Sequence, residues 1–452
     1  RRTYLMVNHK IQLVKDRSRI IFVIALVAKL TVFALVIWRF GAAVSYTDTD
    51  ARQYLTAGLN FFQHGVFSAS STAPFVPIMF RTPLYSIVLA ILHGISAHWW
   101  PVFVWLLQDG VMALVAVFMY RELNNYTNER RAFYATLFFA VEPYGLLNGN
   151  IATPESLFTA CIIVASFLFL RYYRLRNVKT LIWSAIFLSL AILIKPIAQF
   201  LPLLTLAGIA MFIRPRRLSI KHGLIFVSVC LLVLAPWLTR NLITFNRLDI
   251  SSLPSYNLYF YNAAAVVAAQ QHIGTATAQT LLLQQATRDT GHTKQDDYFD
   301  PKFGPYLRSA ALTIIVPHWW LYTRIHLLSL LPFFLNDGYQ KLYPLFGITL
   351  HNTTSVTLLA AQGQWREITT YVFGRGGLTV FLFSLGKLIW LVVYIGIIVR
   401  LRQHWRNKNR AVIPVIIMCF CLIIYFAVLT GPVAAAPYRL PVQSFIFSLL
   451  FI

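Results

Sequence analysis

The run IIFVIALVAKLTVFALVIW, residues 20–38, decides the fold class of this chain. Its only charged residue is Lys29. A helix needs about 20 apolar residues to cross roughly 30 Å of hydrocarbon, and this run has that length. Comparable apolar runs follow at 102–120, 132–149, 153–172, 180–194, 197–213, 222–239, 377–399 and 411–430, and a last one starts at 441. The sequence therefore predicts an all-α polytopic membrane protein, a bundle of about 10–12 apolar helices.

The composition of the whole chain supports this prediction. Of 452 residues, 58% are hydrophobic and 12% are charged, whereas a soluble protein is about 25% charged. One buried core cannot hide that much apolar surface, which excludes a soluble enzyme. The net charge of +24 would suggest nucleic acid only if the basic residues formed one continuous soluble face. They occur instead in short runs between apolar stretches, so we expect no nucleic-acid partner.

The basic residues predict the topology. Five clusters hold 22 of the 39 Lys and Arg residues but only three acidic residues, Asp16, Glu122 and Glu129. Loops rich in Lys and Arg face the cytoplasm, so we assign all five clusters to that side. The clusters are residues 1–19, 121–131, 171–179, 214–221 and 400–410.

Two further apolar stretches, 83–98 and 312–335, would put basic clusters on the wrong side if either crossed the membrane once. We therefore expect both to be helices that dip into the outer face of the membrane or lie along it. This arrangement predicts one outer loop from residue 40 to 101 and another from 240 to 376. The last run, 441–452, is about 18 Å long as a helix, too short to span, so we expect the chain to continue beyond it.

The first outer loop begins SYTDTDARQYLTAGLNFFQHGVF, residues 45–67. Apolar residues recur at helical spacing over 51–63, which predicts an amphipathic helix on the membrane surface, ended by Gly65. Asp48 and Asp50 stand at its start. A helix cap needs one aspartate, so a pair favours chemistry by at least one of them. A carboxylate there serves as a general base for a hydroxyl acceptor or as a ligand of a divalent cation on a phosphate.

Several other charged residues follow at predicted outer helix ends. Taken singly, each has an ordinary explanation: Arg81 as an interfacial anchor and Glu155 as a partner of the helix dipole. Lys195 is a charge at membrane depth, which needs a partner or a function. Together the cations suit a phosphate or diphosphate headgroup. The motifs are MFRTPLY around Arg81, NIATPESLF around Glu155, LIKPIAQF around Lys195, APWLTRNLITF around Arg240 and APYRLPVQSF around Arg439.

Other polar residues receive no catalytic role. Lys29 and Asp109 lie inside predicted spans, and we expect them to be members of buried pairs. His318 and His326 are expected at the interface rather than on a metal. The sequence contains no zinc-ligand spacing and no phosphate-binding glycine loop.

The order of these motifs resembles the GT-C glycosyltransferases that use polyprenyl-phosphate sugars. Within them it is most similar to the bacterial branch related to the protein O-mannosyltransferases and the lipid A aminoarabinose transferase. The resemblance covers most of residues 45–255 and the C-terminal end. Together with the topology, it predicts a catalytic transmembrane module at 1–240, an acceptor-side region of outer loops and interfacial helices at 241–376, and C-terminal transmembrane helices at 377–452. Residues 256–376 themselves show no resemblance, and we expect acceptor specificity there. The matching pieces are DARQYLTAGLNFFQHGVFS, FRTPLYSIVLAIL, TPESLF, LIKPIAQFLPL, APWLTRNLITFNRLDISS and PYRLPVQSF.

The resemblance also implies roles for residues. An acidic residue of the first outer loop is the catalytic base, and Asp50 occupies that place, four residues before Tyr54, with Asp48 as a second carboxylate or metal ligand. Glu155 and Tyr54 belong to the substrate cavity. Contacts with the donor phosphate are assigned to four cations, with contacts to the acceptor as the alternative for the last two: Arg81, Lys195, Arg240 and Arg439.

These inferences predict an integral membrane glycosyltransferase, a hexosyl- or pentosyltransferase. It would move a sugar from a polyprenyl-phosphate donor to a glycan, lipid or protein hydroxyl outside the cytoplasm, with inversion. We expect it in the bacterial inner membrane, with no cofactor beyond a possible divalent cation. One alternative is a ligase for lipid-diphosphate-linked glycans, which the aspartate pair in the first loop disfavours. Another is a lipid or solute transporter or flippase, although the sequence shows no pseudo-symmetric halves.

Overall fold

The computed structural model describes residues 2–41, 49–336, 338–339, 345, 356–373, 377–407, 412–433 and 436–452. Within these ranges the secondary structure is helical and contains no strand, which confirms the predicted all-α class. The α-helices are α1 (Arg2–Phe40), α2 (Thr49–His64), α3 (Pro83–Ile95), α4 (Trp100–Leu123), α5 (Glu129–Val141), α6 (Pro143–Asn148), α7 (Glu155–Leu175), α8 (Val178–Ile194), α9 (Leu201–Phe212), α10 (Arg216–Phe245), α11 (Leu253–Asn257), α12 (Ala264–Gln271), α13 (Thr275–Thr290), α14 (Gly304–Ile315), α15 (Trp319–Leu335), α16 (Val356–Ala361), α17 (Trp365–Phe373), α18 (Gly377–Asn407), α19 (Ile413–Thr430) and α20 (Ala436–Phe451).

Six segments of the described chain are long and apolar enough to cross a membrane. They confirm an integral membrane protein. Three shorter apolar helices accompany them, at Pro83–Ile95, Val178–Ile194 and Pro196–Phe212. The six segments are Asp16–Phe40, Trp100–Leu123, Glu155–Leu175, Arg216–Phe245, Ser384–Arg406 and Ile413–Thr430.

The predicted span at 132–149 is not one continuous helix. It consists of α5 and α6, which meet at Glu142. The Glu142 carboxylate accepts a hydrogen bond from the backbone N–H of Gly145 at 2.7 Å, so it caps the start of α6. Pro143 occupies the first position of α6, where a proline needs no backbone donor.

An ion pair lies inside the bundle. Lys29 on α1 and Asp109 on α4 are both buried, with Nζ 3.1 Å from Oδ1. This confirms that both residues are members of a buried pair. The ammonium group also lies 3.5 Å from the carbonyl oxygen of Gly145 on α6, so the pair connects three helices.

The last helix, α20, begins at Ala436 and packs among α5, α7, α18 and α19. Nearly all of its side chains are buried. Its 16 residues make a helix of about 24 Å. At its far end the Ile452 carbonyl accepts a hydrogen bond from Arg131 at 3.2 Å. The helix therefore passes through the interior of the bundle.

Four of the predicted cytoplasmic clusters meet at one end of the bundle, which we call the basic end. It contains charged residues of α1, α4, α5 and α7 together with the start of α10. The same helices carry Glu155 and Arg240 at their opposite ends, so these two residues lie on the other side of the bundle. The contacts of the basic end are Arg17–Glu129 at 3.2 Å, an ion pair of Arg171 with Glu122, and Tyr172 Oη–His222 Nδ1 at 2.7 Å.

Candidate active site

Asp50 and Arg81 form an ion pair at the end of the bundle opposite the basic end. Asp50 lies in the first turn of α2, and its side chain is 52% exposed, whereas that of Arg81 is 13% exposed. Arg81 also donates to Gln53 Oε1 through Nε at 3.2 Å and Nη2 at 2.6 Å. Its guanidinium carbon lies 4.7 Å from the centre of the Tyr54 ring. Three predicted site residues therefore lie together.

Helix α2 holds these residues because it packs closely on α3. Ala51, Tyr54 and Ala57 are buried, which confirms the predicted amphipathic helix. A Cβ on Gly58 would overlap the carbonyl oxygen of Ser86, so the two helix backbones approach closely where Gly58 has no side chain. Gly65, with φ +68°, ends the helix as predicted.

Glu155 and Lys195 form the second acid–cation pair of the site. Lys195 Nζ lies 2.7 Å from Glu155 Oε1, and both side chains are largely buried. Glu155 begins α7. Lys195 follows α8 in an extended conformation, φ −142° and ψ 124°, as expected for a residue before a proline. Pro196 therefore ends α8 and lets the lysine reach Glu155. The structure confirms that Lys195 has a partner.

A hydrogen bond between residues next to the two cations links the two pairs. The Thr82 hydroxyl, directly after Arg81, donates to the carbonyl oxygen of Ile194, directly before Lys195, at 2.9 Å. Each cation also stands just before a helix whose first residue is proline, Pro83 or Pro196. Both cations therefore lie at breaks in the helices, at the same depth in the bundle.

The buried phenol of Tyr54 lies between these charges. Burial raises the pKa of Tyr54, although Arg81 and Lys195 act in the opposite direction. The hydroxyl therefore stays neutral at physiological pH. Burial also disfavours the charge of Arg81, but its contacts with Tyr54 and Asp50 act in the opposite direction and raise the pKa of Arg81.

The structure places Arg240 and Arg439 in other surroundings. Arg240 donates to the carbonyl oxygen of Ile78 at 2.8 Å and so holds the segment that leads to Arg81. Arg439 is fully buried and donates to the carbonyl oxygen of Phe334 at 2.5 Å, with its guanidinium carbon 3.7 Å from the Trp390 ring centre. Neither arginine contacts the two acid–cation pairs within the described chain. Their contact with a donor phosphate stays a prediction.

Asp48, the second predicted carboxylate, lies outside the described residues. Over the described ranges, no group of three or more His, Cys, Asp or Glu side chains forms a metal site. A divalent cation on Asp48 and Asp50 therefore also stays a prediction.

Two residues of the site were missed by the sequence analysis. Gln53 accepts both hydrogen bonds from Arg81, and its position three residues after Asp50 puts it on the same helix face. Tyr438 lies with its ring centre 5.5 Å from Lys195 Nζ. Tyr438 could have been found from its position directly before Arg439, but the sequence analysis assigned a role only to the charged residue.

An apolar crevice of about 220 Å³ opens beside the cations. It lies between α3, α4, α7 and α8, and no polar surface lines it. Leu84, three residues after Arg81, and Ile194, directly before Lys195, are among the residues that line it. The other lining residues are Tyr85, Val88, Val111, Val115, Leu157, Ala160, Cys161, Val164 and Phe187.

Comparison with known families places part of this site in a familiar context. Residues 80–239 match the model of the family described as dolichyl-phosphate-mannose-protein mannosyltransferase. The resemblance predicted from the sequence motifs is confirmed over this segment. The matched segment contains Arg81, Glu155 and Lys195, while Asp50 and Tyr54 precede it. No curated protein matches the sequence significantly.

Three solved structures are similar to the chain, each at low identity. The oligosaccharyltransferase of Archaeoglobus fulgidus, in complex with Zn and sulfate, has a TM-score of 0.48 at 13% identity, covering 95% of this chain and 48% of that chain. This chain therefore spans about half the length of that protein. AglB from Archaeoglobus fulgidus, with an inhibitory peptide and a dolichol-phosphate, has a TM-score of 0.45 at 15% identity, covering 96% and 50%. ArnT from Cupriavidus metallidurans, bound to undecaprenyl phosphate, has a TM-score of 0.42 at 14% identity, covering 95% and 76%.

Proposed function

We propose that this protein is an integral membrane glycosyltransferase that takes its sugar from a polyprenyl-phosphate donor. One observation carries the proposal: the pairs Asp50–Arg81 and Glu155–Lys195 are linked by the Thr82–Ile194 hydrogen bond and lie next to a wholly apolar crevice that Ile194 also lines. The cations of such a site can bind a phosphate, the carboxylate can accept a proton, and the apolar surface can bind a lipid chain.

The donor would bind in two parts. Arg81 and Lys195 would hold the phosphate through charge-assisted hydrogen bonds, which are shorter and stronger than neutral ones. The first isoprene units would enter the crevice, where burial of apolar surface contributes roughly 25 cal/mol per Å². Tyr54, neutral and next to Arg81, would donate to a phosphate oxygen.

Asp50 would act as the base. Its carboxylate would accept the proton of the acceptor hydroxyl while that oxygen bonds to the anomeric carbon and the bond from this carbon to the phosphate oxygen breaks. The displacement inverts the anomeric centre, and the phosphate leaves with the bonding electron pair. Fixed charges that stabilise the leaving phosphate supply most of the catalysis in such a step.

Arg81 has two tasks in this scheme. Without a ligand it holds Asp50, so a phosphate that attracts the guanidinium would release the carboxylate for the acceptor. Glu155 would keep Lys195 charged and aimed at the site. We propose a hexose or pentose as the sugar and an extracytoplasmic hydroxyl of a glycan, lipid or protein as the acceptor, with the site on the outer face of a bacterial inner membrane.

The proposal is tested with the purified protein in detergent, a panel of labelled polyprenyl-phosphate sugars and mass spectrometry of the products. We expect transfer of one sugar and release of a lipid monophosphate. Release of a lipid diphosphate would favour the glycan ligase. Absence of transfer together with movement of lipid across sealed vesicles would favour the transporter.

The crevice is tested separately by filling it. Leu157→Trp should weaken the use of long-chain donors and affect a donor with one or two isoprene units much less, because only the longer chain needs the crevice. The matched control is Leu203→Trp on α9, where the leucine is 61% exposed. Equal loss with long and short donors, measured as kcat/KM, would contradict a lipid chain in this crevice.

A further inference from the structure

Tyr261 lies on a π-helix, Leu258–Ala263, inserted between α11 and α12. Single π-helical turns are rare and often occur at functional sites. The neighbouring residues Tyr259 and Phe260 are fully buried. Tyr261 itself is half-buried. The altered helix turn therefore brings one phenol out of the packed interior of this region.

The hydroxyl of Tyr261 differs from the other tyrosine hydroxyls around it. Residues 253–322, all of them described, contain six tyrosines. Five have a hydrogen-bond partner, whereas the Tyr261 hydroxyl has none among the described residues. The partners are Gln295 for Tyr256, the Leu282 carbonyl for Tyr259, Thr290 and the His292 carbonyl for Tyr298, Asp289 for Tyr306 and Asn262 for Tyr322.

Ring contacts connect Tyr261 to the candidate active site: its ring centre lies 6.2 Å from that of Tyr256, which stacks through Phe299 on Phe80, the residue before Arg81. Burial raises the pKa of Tyr261, and the nearby Tyr438 and Asp50 raise it further, while Arg81 acts in the opposite direction. Its hydroxyl therefore lies within the electrostatic reach of the proposed base and its cation. Tyr438, whose ring lies beside Lys195, likewise has no hydrogen-bond partner for its hydroxyl in the described chain.

Hydrogen bonds and ring contacts within the protein hold the π-helix in place. Asn262, the next residue, donates to the Asn257 carbonyl at 3.0 Å and accepts from the Tyr322 hydroxyl at 3.0 Å. A stack of three rings also connects this region to the residue before Arg81. In this stack the Tyr256 and Phe299 ring centres are 4.2 Å apart, and those of Phe299 and Phe80 are 4.4 Å apart.

The geometry of an inverting transfer locates the sugar. Its anomeric carbon must lie between the leaving phosphate and the base, so the sugar would occupy the space next to Arg81 and Lys195 that opens once the phosphate has drawn Arg81 away from Asp50. Tyr438 lies beside Lys195, and Tyr261 is connected through the ring stack to the residue before Arg81, so each cation has one of these tyrosines near it. We infer that their hydroxyls bind the hydroxyl groups of the donor sugar, and that Tyr261 helps to determine which sugar is accepted. This inference rests on the proposed function.

A site built to bind a substrate hydroxyl rejects analogues that lack it, because its own polar groups are then left unpaired. Two phenols can each donate and accept one hydrogen bond. The expected ligand is therefore a sugar with free hydroxyl groups on the ring face that these tyrosines contact.

The experiment compares two probes, polyprenyl phosphate and the polyprenyl-phosphate sugar that the wild type transfers best. Tyr261→Phe should bind the sugar-bearing lipid about two- to tenfold more weakly, the loss expected for one neutral hydrogen bond. Its affinity for the bare lipid phosphate should not change. Tyr438→Phe should give the same pattern. The control is Tyr259→Phe, which removes a buried hydroxyl from the same π-helix and should change thermal stability only.

The outcomes separate the two proposals. Equal affinities of Tyr261→Phe and wild type for both lipids would overturn the sugar contact, as would an equal loss for both lipids. A wild-type protein that binds neither lipid would contradict the proposed function itself. Loss for the sugar-bearing lipid alone would support the inference and leave the phosphate site unaffected.

Discussion

The two ends of the helix bundle contain the same kinds of charged residues in different surroundings. At the basic end, Glu122 and Arg171 lie within the last turns of α4 and α7, and Glu129 begins α5 opposite Arg17. At the site end, Arg81 and Lys195 lie outside the α-helices, Arg81 two residues before Pro83 and Lys195 directly before Pro196. The basic end joins helix to helix, whereas the site end presents charges from breaks between helices.

This difference indicates how ion pairs that join helices differ from pairs that bind a ligand. When both members of a pair lie within helices, the backbone fixes their positions and neither can easily find another partner. Removing one member of such a buried pair therefore leaves an unpaired buried charge and lowers stability. A pair at a helix break can exchange its partner with less disturbance. Asp50, with half of its side chain exposed, illustrates the second kind, and Glu122, whose side chain is 1% exposed, illustrates the first.

Replacing a carboxylate at each end should give the largest difference in turnover, and Asp50→Asn is the variant at the site end. Loss of a general base typically lowers turnover about 10²- to 10⁴-fold, while the exposed position of Asp50 should leave thermal stability nearly unchanged. Glu129→Gln at the basic end is the matched control and should retain its turnover. Product formation and thermal unfolding are measured for both. Comparable turnover in the two variants would show that Asp50 is not the base.

A second test addresses the bundle interior between the ends. Lys29→Met leaves Asp109 without its partner, and breaking a buried pair costs about 3–5 kcal/mol. We expect a large loss of thermal stability with unchanged donor affinity in the folded fraction. Adding Asp109→Leu should recover much of the stability. A selective loss of donor affinity would instead place this pair with the site end.

Arg81→Ala should weaken donor use roughly tenfold to a hundredfold, since hydrogen bonds to charged groups contribute about 1.5–3 kcal/mol. Arg81→Lys should recover part of this, because the charge remains but the two-pronged geometry does not. The control is Arg171→Ala, which deprives the buried Glu122 of its partner and should lower stability only. Affinity for polyprenyl phosphate distinguishes them, and an unchanged value in folded Arg81→Ala would remove Arg81 from the phosphate site.

The smallest expected effect concerns the contact between α2 and α3. Gly58→Ala forces these helices apart, and such overpacking costs about 1–3 kcal/mol; we also expect a several-fold loss of turnover as Asp50 moves. Gly94→Ala on α3 meets nothing within 4 Å and should be neutral or slightly stabilising. Equal thermal stability of the two variants would show that this close approach does not position the site end.

Much of the site was predictable because helix ends are readable in sequence. Asp50, Arg81, Glu155 and Lys195 each stand where an apolar run begins or ends, so the topology alone predicts that they share one side. Gln53 was missed because it is neutral, although its position three residues after Asp50 puts it on the same helix face. Arg439 shows another limit. Hydropathy does not distinguish a helix in lipid from one inside the bundle, so the burial of α20 could not be predicted.

The hydrogen bond from Thr82 to Ile194 has a consequence for the selection of ligands. Together with Pro83 and Pro196, it sets the gap between the Arg81 and Lys195 backbones before any anion arrives. These segments are already ordered by folding, so binding of an anion does not carry the further entropic cost of ordering them. A gap of constant width discriminates by the size of the anion. We therefore expect the site to distinguish a monophosphate from a diphosphate by fit, even where their charges would favour the larger one.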